Sequence, residues 1–299
     1  MIRRTQKTAF TLIELLVVIS IIGLLLSILA PSLMKAKRSV KSLLSSKNQR
    51  DIVTSLSCYA VDNDGRYPAT VATIGVGNRW SWREPTLVTG YQKRNIQSHR
   101  SVAAYLNSYI ETAPTVFCPS SPSTYKYAQD AWLAGDAWDN PSPGTGSLDP
   151  LDGNYCLMWN YTGHLEGRKA PFMGPRSTTR RSHESKLLVC DYFGYGHWRN
   201  EFTYGSRNAF GSCEKLNSSD KTEGTAVSSE FWSKFNSSKE MNLDAIEIKL
   251  KAGFTDGHVE TYSTSDVIKM RISMKQDGSQ PYPDNVSPGG IFFIPRNSW

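Results

Sequence analysis

The chain is short of charge and nearly devoid of long hydrophobic stretches. Charged residues fill 20% of its 299 positions and aromatics 11%, a balance that excludes a disordered acidic or basic tail protein. One segment alone is apolar enough to span a bilayer, which excludes a polytopic membrane protein. The sequence motifs of common chemistry are also missing. There is no G-x-S-x-G elbow, no Walker-type loop, no H-E-x-x-H and no C-x-x-C. Gly75-Val76-Gly77 lacks a third glycine and a preceding strand, so it is no dinucleotide fingerprint. His99, His164, His183, His197 and His258 are scattered without zinc-like spacing. No internal repeat is present. No catalytic residue, metal or cofactor is therefore expected.

Cysteine is sparse as well. Cys58, Cys118, Cys156, Cys190 and Cys213 make an odd set of five, which leaves at least one thiol unpaired and the connectivity of any bridge open. Asp191 stands at the end of an apolar run without an acidic or histidine partner at recognisable spacing. It reads as a structural carboxylate at a turn. Trp80 and Trp82 beside Arg79 and Arg83 read as a tryptophan-anchored loop in preference to an aromatic-basic nucleic-acid or sugar patch.

The charge that is present is unevenly placed. The net charge is +7, yet the first 50 residues hold nine basic side chains and a single acid, Glu14. The remaining residues carry 25 basic and 26 acidic groups. The excess flanks a hydrophobic segment, so it bears on membrane topology before partners, and no specific nucleic acid is expected. Residues 10–30 read FTLIELLVVISIIGLLLSILA, with 16 of 21 positions apolar. At 1.5 Å per residue they span about 30 Å, the thickness of a bilayer core. A basic stub, MIRRTQKTA, precedes them. An ordinary cleaved secretory signal fits poorly. The apolar run is too long, and Ala30-Pro31-Ser32 stands where an A-x-A-like site belongs. Glu14 lies inside the run, and a central charge costs about 2.5–3.5 kcal/mol to insert. An acid that expensive marks a functional position.

The stretch Ala9-Phe10-Thr11-Leu12-Ile13-Glu14-Leu15-Leu16, with the apolar run and Pro31 behind it, resembles the amino terminus of type IV pilins and type II secretion pseudopilins. The resemblance implies that a prepilin peptidase cuts between Ala9 and Phe10 and methylates the new amine of Phe10. Ala9 replaces the glycine usual before the cut. It further implies assembly with other pilin-like subunits on an inner-membrane platform, into a secretion pseudopilus or a type IV pilus-like filament. Glu14 is expected to drive that assembly. The leader would face the cytoplasm and the head the periplasm or cell surface. A bare count of Lys35, Lys37, Arg38, Lys41, Lys47 and Arg50 after the span favours the opposite orientation.

The implied organisation is a leader at 1–9, a membrane and filament-core helix at 10–30, its amphipathic continuation at 31–64, and a globular extracytoplasmic head at 65–299. Leu33, Ala36, Val40, Leu43, Leu44, Ile52, Leu56 and Tyr59 recur at helical spacing and predict the head-facing stripe. Pro31 predicts a kink, and the cluster Asp62-Asn63-Asp64-Gly65 predicts the helix exit. Further on, Ser98 is expected to cap a helix to Glu111, and Thr115–Pro119 to form a strand. Gly, Pro, Asp and Asn crowd 134–153, which predicts a long surface loop. Tyr155–Tyr161 and Lys186–Tyr192 read as buried strands, and Ser265 as the cap of a helix over Asp266–Met270. Ile291–Ile294 predicts a last strand. Between 245 and 263 the alternation predicts a half-buried hairpin with Asp256 and Gly257 as its two-residue turn. Gly253–Glu260 resembles the Asp-Gly-His hairpin of pilin-like proteins with an H-X9-DG domain, although Ile246 replaces the name-giving histidine. The fold class is α+β, pilin-like, with a long N-terminal helix on an antiparallel sheet. The rival reading is a membrane-anchored binding or enzymatic domain that uses a pilin-like anchor.

Overall fold

The computed structural model describes residues 11–68, 79–81, 85–89, 101–119, 127–138, 151–153, 155–165, 167–168, 170–179, 181–195, 203–205, 249–271, 274–275 and 291–299. Helix α1, Leu12–Asp62, runs 51 residues without a break, about 77 Å at the standard rise. It continues through Pro31, whose missing N–H leaves the Ser27 carbonyl without its helical donor. The helix ends where the Gly65 amide donates to the Ala60 carbonyl at 2.7 Å. Asp64 and Gly65 there take left-handed φ values of 53° and 76°, the conformation that stops a helix. The chain divides into two compact units, Met1–Leu43 and Leu44–Trp299, and α1 contributes to both.

The second unit begins with the last turns of α1. It continues through β1 (Arg79–Ser81), β2 (Leu87–Thr89), α2 (Val102–Leu106), a 3-10 turn at Ala113–Val116 and α3 (Ala128–Ala134). The strands β3 (Leu151–Asp152), β4 (Tyr155–Leu157), β5 (Thr162–Leu165), β6 (Phe172–Met173), β7 (Leu187–Asp191), β8 (Phe193–Tyr195) and β9 (Thr203–Gly205) follow. Last come β10 (Lys249–Phe254), β11 (Val259–Ser263), β12 (Val267–Arg271), β13 (Met274–Lys275) and β14 (Ile291–Pro295). Every pairing among these is antiparallel. One sheet has the order β11-β10-β7-β4 and a larger one β6-β5-β12-β14-β8-β9. The chain is thus α+β, a long N-terminal helix with an antiparallel β head, as its sequence implies.

Strands β4, β7 and β10 of the four-stranded sheet are buried on both faces, and the two faces serve two cores. Cys156, Leu187, Cys190, Leu250, Ala252 and Phe254 pack with Phe193, Met270, Phe292 and Phe293 from the larger sheet. Phe193 and Phe293 stack there with centroids 5.3 Å apart, and burying each such ring contributes about 1.5–3 kcal/mol. On the other face Tyr155, Leu157 and Val189 meet Ile52, Val53, Leu56 and Ala60 of α1. Val53 lies so near Gly253 that a Cβ there would stand 3.2 Å from its Cγ2.

Several local expectations are corrected. The head-facing stripe of α1 is Ser45, Asn48, Gln49, Ile52, Val53, Ser55, Leu56 and Ala60. Leu33 and Leu43 are instead exposed. Polar residues open the packing face because they meet polar groups of the sheet, described below. The short helix α2 is capped by Ser101, whose hydroxyl accepts from the Ala104 amide; Ser98 lies outside the described residues. Pro114 takes Thr115 and Val116 into the 3-10 turn in place of a strand. Helix α3 and a 3-10 turn at Gly135–Ala137 occupy the start of the expected loop at 134–153. The run Tyr155–Tyr161 is interrupted at Asn160, with φ of 56°, so β4 ends at Leu157. Val267–Arg271 is a strand, paired along its length with β14, because its apolar residues lie between two strands of the larger sheet.

The hairpin of β10 and β11 has a different turn from the one its sequence predicts. The amide of Gly257 donates to the Phe254 carbonyl at 2.9 Å and that of Phe254 to the His258 carbonyl at 3.1 Å. Thr255-Asp256-Gly257 therefore form a three-residue loop. Only Gly257 takes positive φ, 88°, as in a type I turn closed by a glycine bulge. His258 stacks on Phe254 at 4.5 Å and pairs with the Asp256 carboxylate through Nδ1. A Cβ on Gly257 would meet no atom, so substitution there tests φ alone. Gly257→Val is expected to lower head stability by about 1–2 kcal/mol, the cost of a β-branched residue in the left-handed region. His258→Ala should cost less, since the His258 ring is itself half-exposed and its pairing with Asp256 lies at the surface. Chemical unfolding followed by tryptophan fluorescence checks both. Equal losses would place the constraint in the stacking and not in the turn.

Candidate membrane and assembly segment

From Leu12 through Val40 every large apolar side chain of α1 is solvent-exposed, Leu12 at 86% and Leu24 at 65%. A continuous apolar surface of that size marks a membrane or protein interface. The helix is long and apolar enough to cross a membrane. Serines do not interrupt it, because each returns its hydroxyl to the helix backbone: Ser20 to the Leu16 carbonyl and Ser27 to the Leu24 carbonyl, both at 2.7 Å.

Glu14 is the single charged side chain between Leu12 and Met34, and the structure gives it local work. The Thr11 amide and hydroxyl each donate to Glu14 Oε2 at 2.8 Å. The Glu14 amide donates back to Thr11 Oγ1 at 3.3 Å. This is a reciprocal capping box, Thr11 at the N-cap and Glu14 at the third helical position. It bends the carboxylate back toward the start of the helix, where the macrodipole favours negative charge. Thr11 was not singled out by the sequence reading, although the Thr-x-x-Glu spacing at 11–14 carries the signal. Ala9 and Phe10 lie outside the described residues. Pro31 is in mid-helix, and Asp256 and Gly257 form the hairpin loop described above.

A second constellation joins residues far apart in sequence. Asp191, at the end of β7, is fully buried. Its Oδ1 accepts from Gln49 Nε2 at 3.2 Å and its Oδ2 from the Lys251 amide at 3.1 Å. Lys251 is itself buried, and its Nζ donates to Ser46 Oγ at 2.7 Å. One turn earlier on α1, Ser45 and the Tyr155 hydroxyl share a hydrogen bond of 2.9 Å. Asp191 therefore ties β10 to α1 and does not close a turn as its position in sequence implied. Among the described residues no three His, Cys, Asp or Glu converge as a metal site. Among the described residues Cys58, Cys118, Cys156 and Cys190 form no disulfide.

The prokaryotic N-terminal methylation motif matches residues 4–30 of the chain. No curated protein and no solved structure matches it. The motif belongs to a structural, non-enzymatic family and implies processing by prepilin peptidase and assembly with other pilin subunits. With that motif laid over a basic stub and the capped start of one long apolar helix, the chain carries a type IV pilin-like amino terminus, a motif that implies prepilin processing.

Proposed function

We propose that the protein is a structural subunit of a secretion pseudopilus or type IV pilus-like filament. The observation that carries this reading is the fully exposed apolar face of α1 with one carboxylate at its head. Such a face is stable in a bilayer or against other copies of itself, and not in water. In this reading prepilin peptidase removes residues 1–9 after Ala9 and methylates Phe10. The platform in the inner membrane then draws the subunit out, and residues 10–30 pass from lipid into the filament core. Pro31 permits a bend between that core segment and the head-bearing turns. The head at 65–299 lies on the extracytoplasmic side, and its role in the fibre is structural.

Mass spectrometry of the amino-terminal peptide from the membrane-resident protein tests this. The expected peptide begins at Phe10 and is heavier by one methyl group. Recovery of Met1–Ala9 on the only form present would overturn the reading.

A further inference from the structure

Near the exit of α1 the second unit holds an open cavity. It offers about 570 Å³ and is lined by Tyr59, Tyr105, Tyr109, Asn63, Asn107 and Asp136 among others, a volume within the usual range of small-ligand sites. The rings of Tyr59 and Tyr105 meet edge to face at 5.9 Å, and those of Tyr59 and Tyr109 at 5.8 Å. Three tyrosine rings thus line one concavity.

The walls are held by their own contacts. Asp136 Oδ1 accepts from the Ser101 amide at 2.7 Å, the Tyr109 hydroxyl donates to Asp62 at 2.7 Å, and Asn107 Nδ2 donates to the Leu133 carbonyl at 3.3 Å. Asn63 Nδ2 likewise donates to the Tyr59 carbonyl at 2.7 Å. Gly135 brings the two walls together, since a Cβ there would stand 3.1 Å from Ala104 Cα. A site fixed before binding spends little ordering entropy when a ligand arrives.

The lining decides the ligand class. It contains no Lys, Arg or His, so nothing attracts phosphate, carboxylate or nucleic acid. Polar atoms dominate the wall, which disfavours a lipid chain. Each asparagine amide group gives one N–H to backbone and keeps its second N–H and its carbonyl oxygen for a visitor. Donors and acceptors beside tyrosine rings match a molecule with many hydroxyl groups and apolar C–H faces. We propose that this cavity binds a neutral saccharide. The inference is independent of the filament reading, because the amino-terminal mass spectrum and a binding isotherm fail separately.

The test uses the full-length chain in a sugar-free, non-ionic detergent. It is titrated calorimetrically with neutral tetramers of glucose, N-acetylglucosamine, mannose and galactose, and with an anionic tetramer of galacturonic acid. At least one neutral tetramer should bind and the anionic one should not. Tyr105→Ala should weaken binding by about tenfold or more. Ser108→Trp, placed at an exposed position of the rim, should abolish binding while leaving the melting temperature unchanged, which covers the case in which Tyr105→Ala fails to fold. No heat from any neutral tetramer up to about 10 mM overturns the proposal. Unchanged affinity in Ser108→Trp, or binding of the anionic tetramer alone, overturns it equally.

Discussion

A Glu14→Leu subunit is expected to insert in the membrane and lose its leader normally, yet to be nearly absent from sheared filaments. The substitution removes a charge that costs about 2.5–3.5 kcal/mol within a bilayer, so insertion should be no worse. What is lost is the partner for a cation. In the proposed filament, cleavage before Phe10 would create an amine one helical turn from Glu14, and on an adjoining subunit that amine would offset the buried carboxylate. Such a pair fixes axial register as a buried polar residue does in a coiled coil. The capping box adds a second consequence of the same mutation, because Thr11 also loses its reciprocal partner. Glu14→Gln separates the two. Glutamine can still close a capping box but carries no charge. Subunits with Glu14→Gln should therefore assemble as poorly as those with Glu14→Leu. If Glu14→Gln enters filaments at the wild-type level, the cap and not the charge is what assembly needs. If Glu14→Leu does so, Glu14 has no assembly role.

How far the sequence was legible follows the range of the interactions. Helix α1 could be read because its apolar run, its Pro31 and its exit at Asp62–Gly65 are all local signals. The β10–β11 hairpin and β14 were visible for the same reason, as alternation and as a compact apolar run. The turn type was not, since Asp256-Gly257 is compatible with a two-residue loop until the pairing of Gly253 with Val259 sets the register. Val267–Arg271 was misread because a five-residue apolar segment has no period long enough to separate helix from strand. The face of α1 that meets the head was misplaced because apolar spacing favours Leu33 to Leu44, while the real contact opens with Ser45, Asn48 and Gln49. Ser45 and Gln49 find Tyr155, Asp191 and Lys251 at separations of 110 residues or more along the chain, and Asn48 donates to the Pro114 and Phe117 carbonyls, 66 and 69 residues on. The tyrosine cavity is hidden in the same way, because Tyr59 reaches Tyr105 and Tyr109 only after α2 folds onto α1.

The polar contact between α1 and the sheet carries the largest expected effect on stability. Asp191→Leu should destabilise the head by about 3–5 kcal/mol, the usual cost of removing one partner from a buried charged network. Three groups lose their acceptor or counter-charge at once: the Gln49 amide group, the Lys251 backbone N–H and the Lys251 ammonium. Burial already lowers the pKa of Lys251 below the ordinary lysine value, and the Asp191 charge partly opposes that shift. Without Asp191 the folded-state pKa of Lys251 falls further. A lysine whose pKa is depressed by folding binds fewer protons in the folded state than in the unfolded one, so stability rises with pH between the two values. The deficit of Asp191→Leu should therefore shrink as pH is raised from neutral toward the unfolded lysine pKa, more steeply than in the wild type. Adding Lys251→Met removes the stranded ammonium and should recover part of the loss and most of the extra pH dependence. In the double variant Gln49 Nε2 keeps only its long bond of 3.4 Å to the Lys251 carbonyl and the Lys251 backbone amide loses its Asp191 acceptor, so recovery should be incomplete. Urea unfolding of the full-length chain in detergent at several pH values measures all three variants. A loss below about 1 kcal/mol for Asp191→Leu, or a double variant no better than the single, would mean that the helix is held to the sheet by Ile52, Val53 and Leu56 alone.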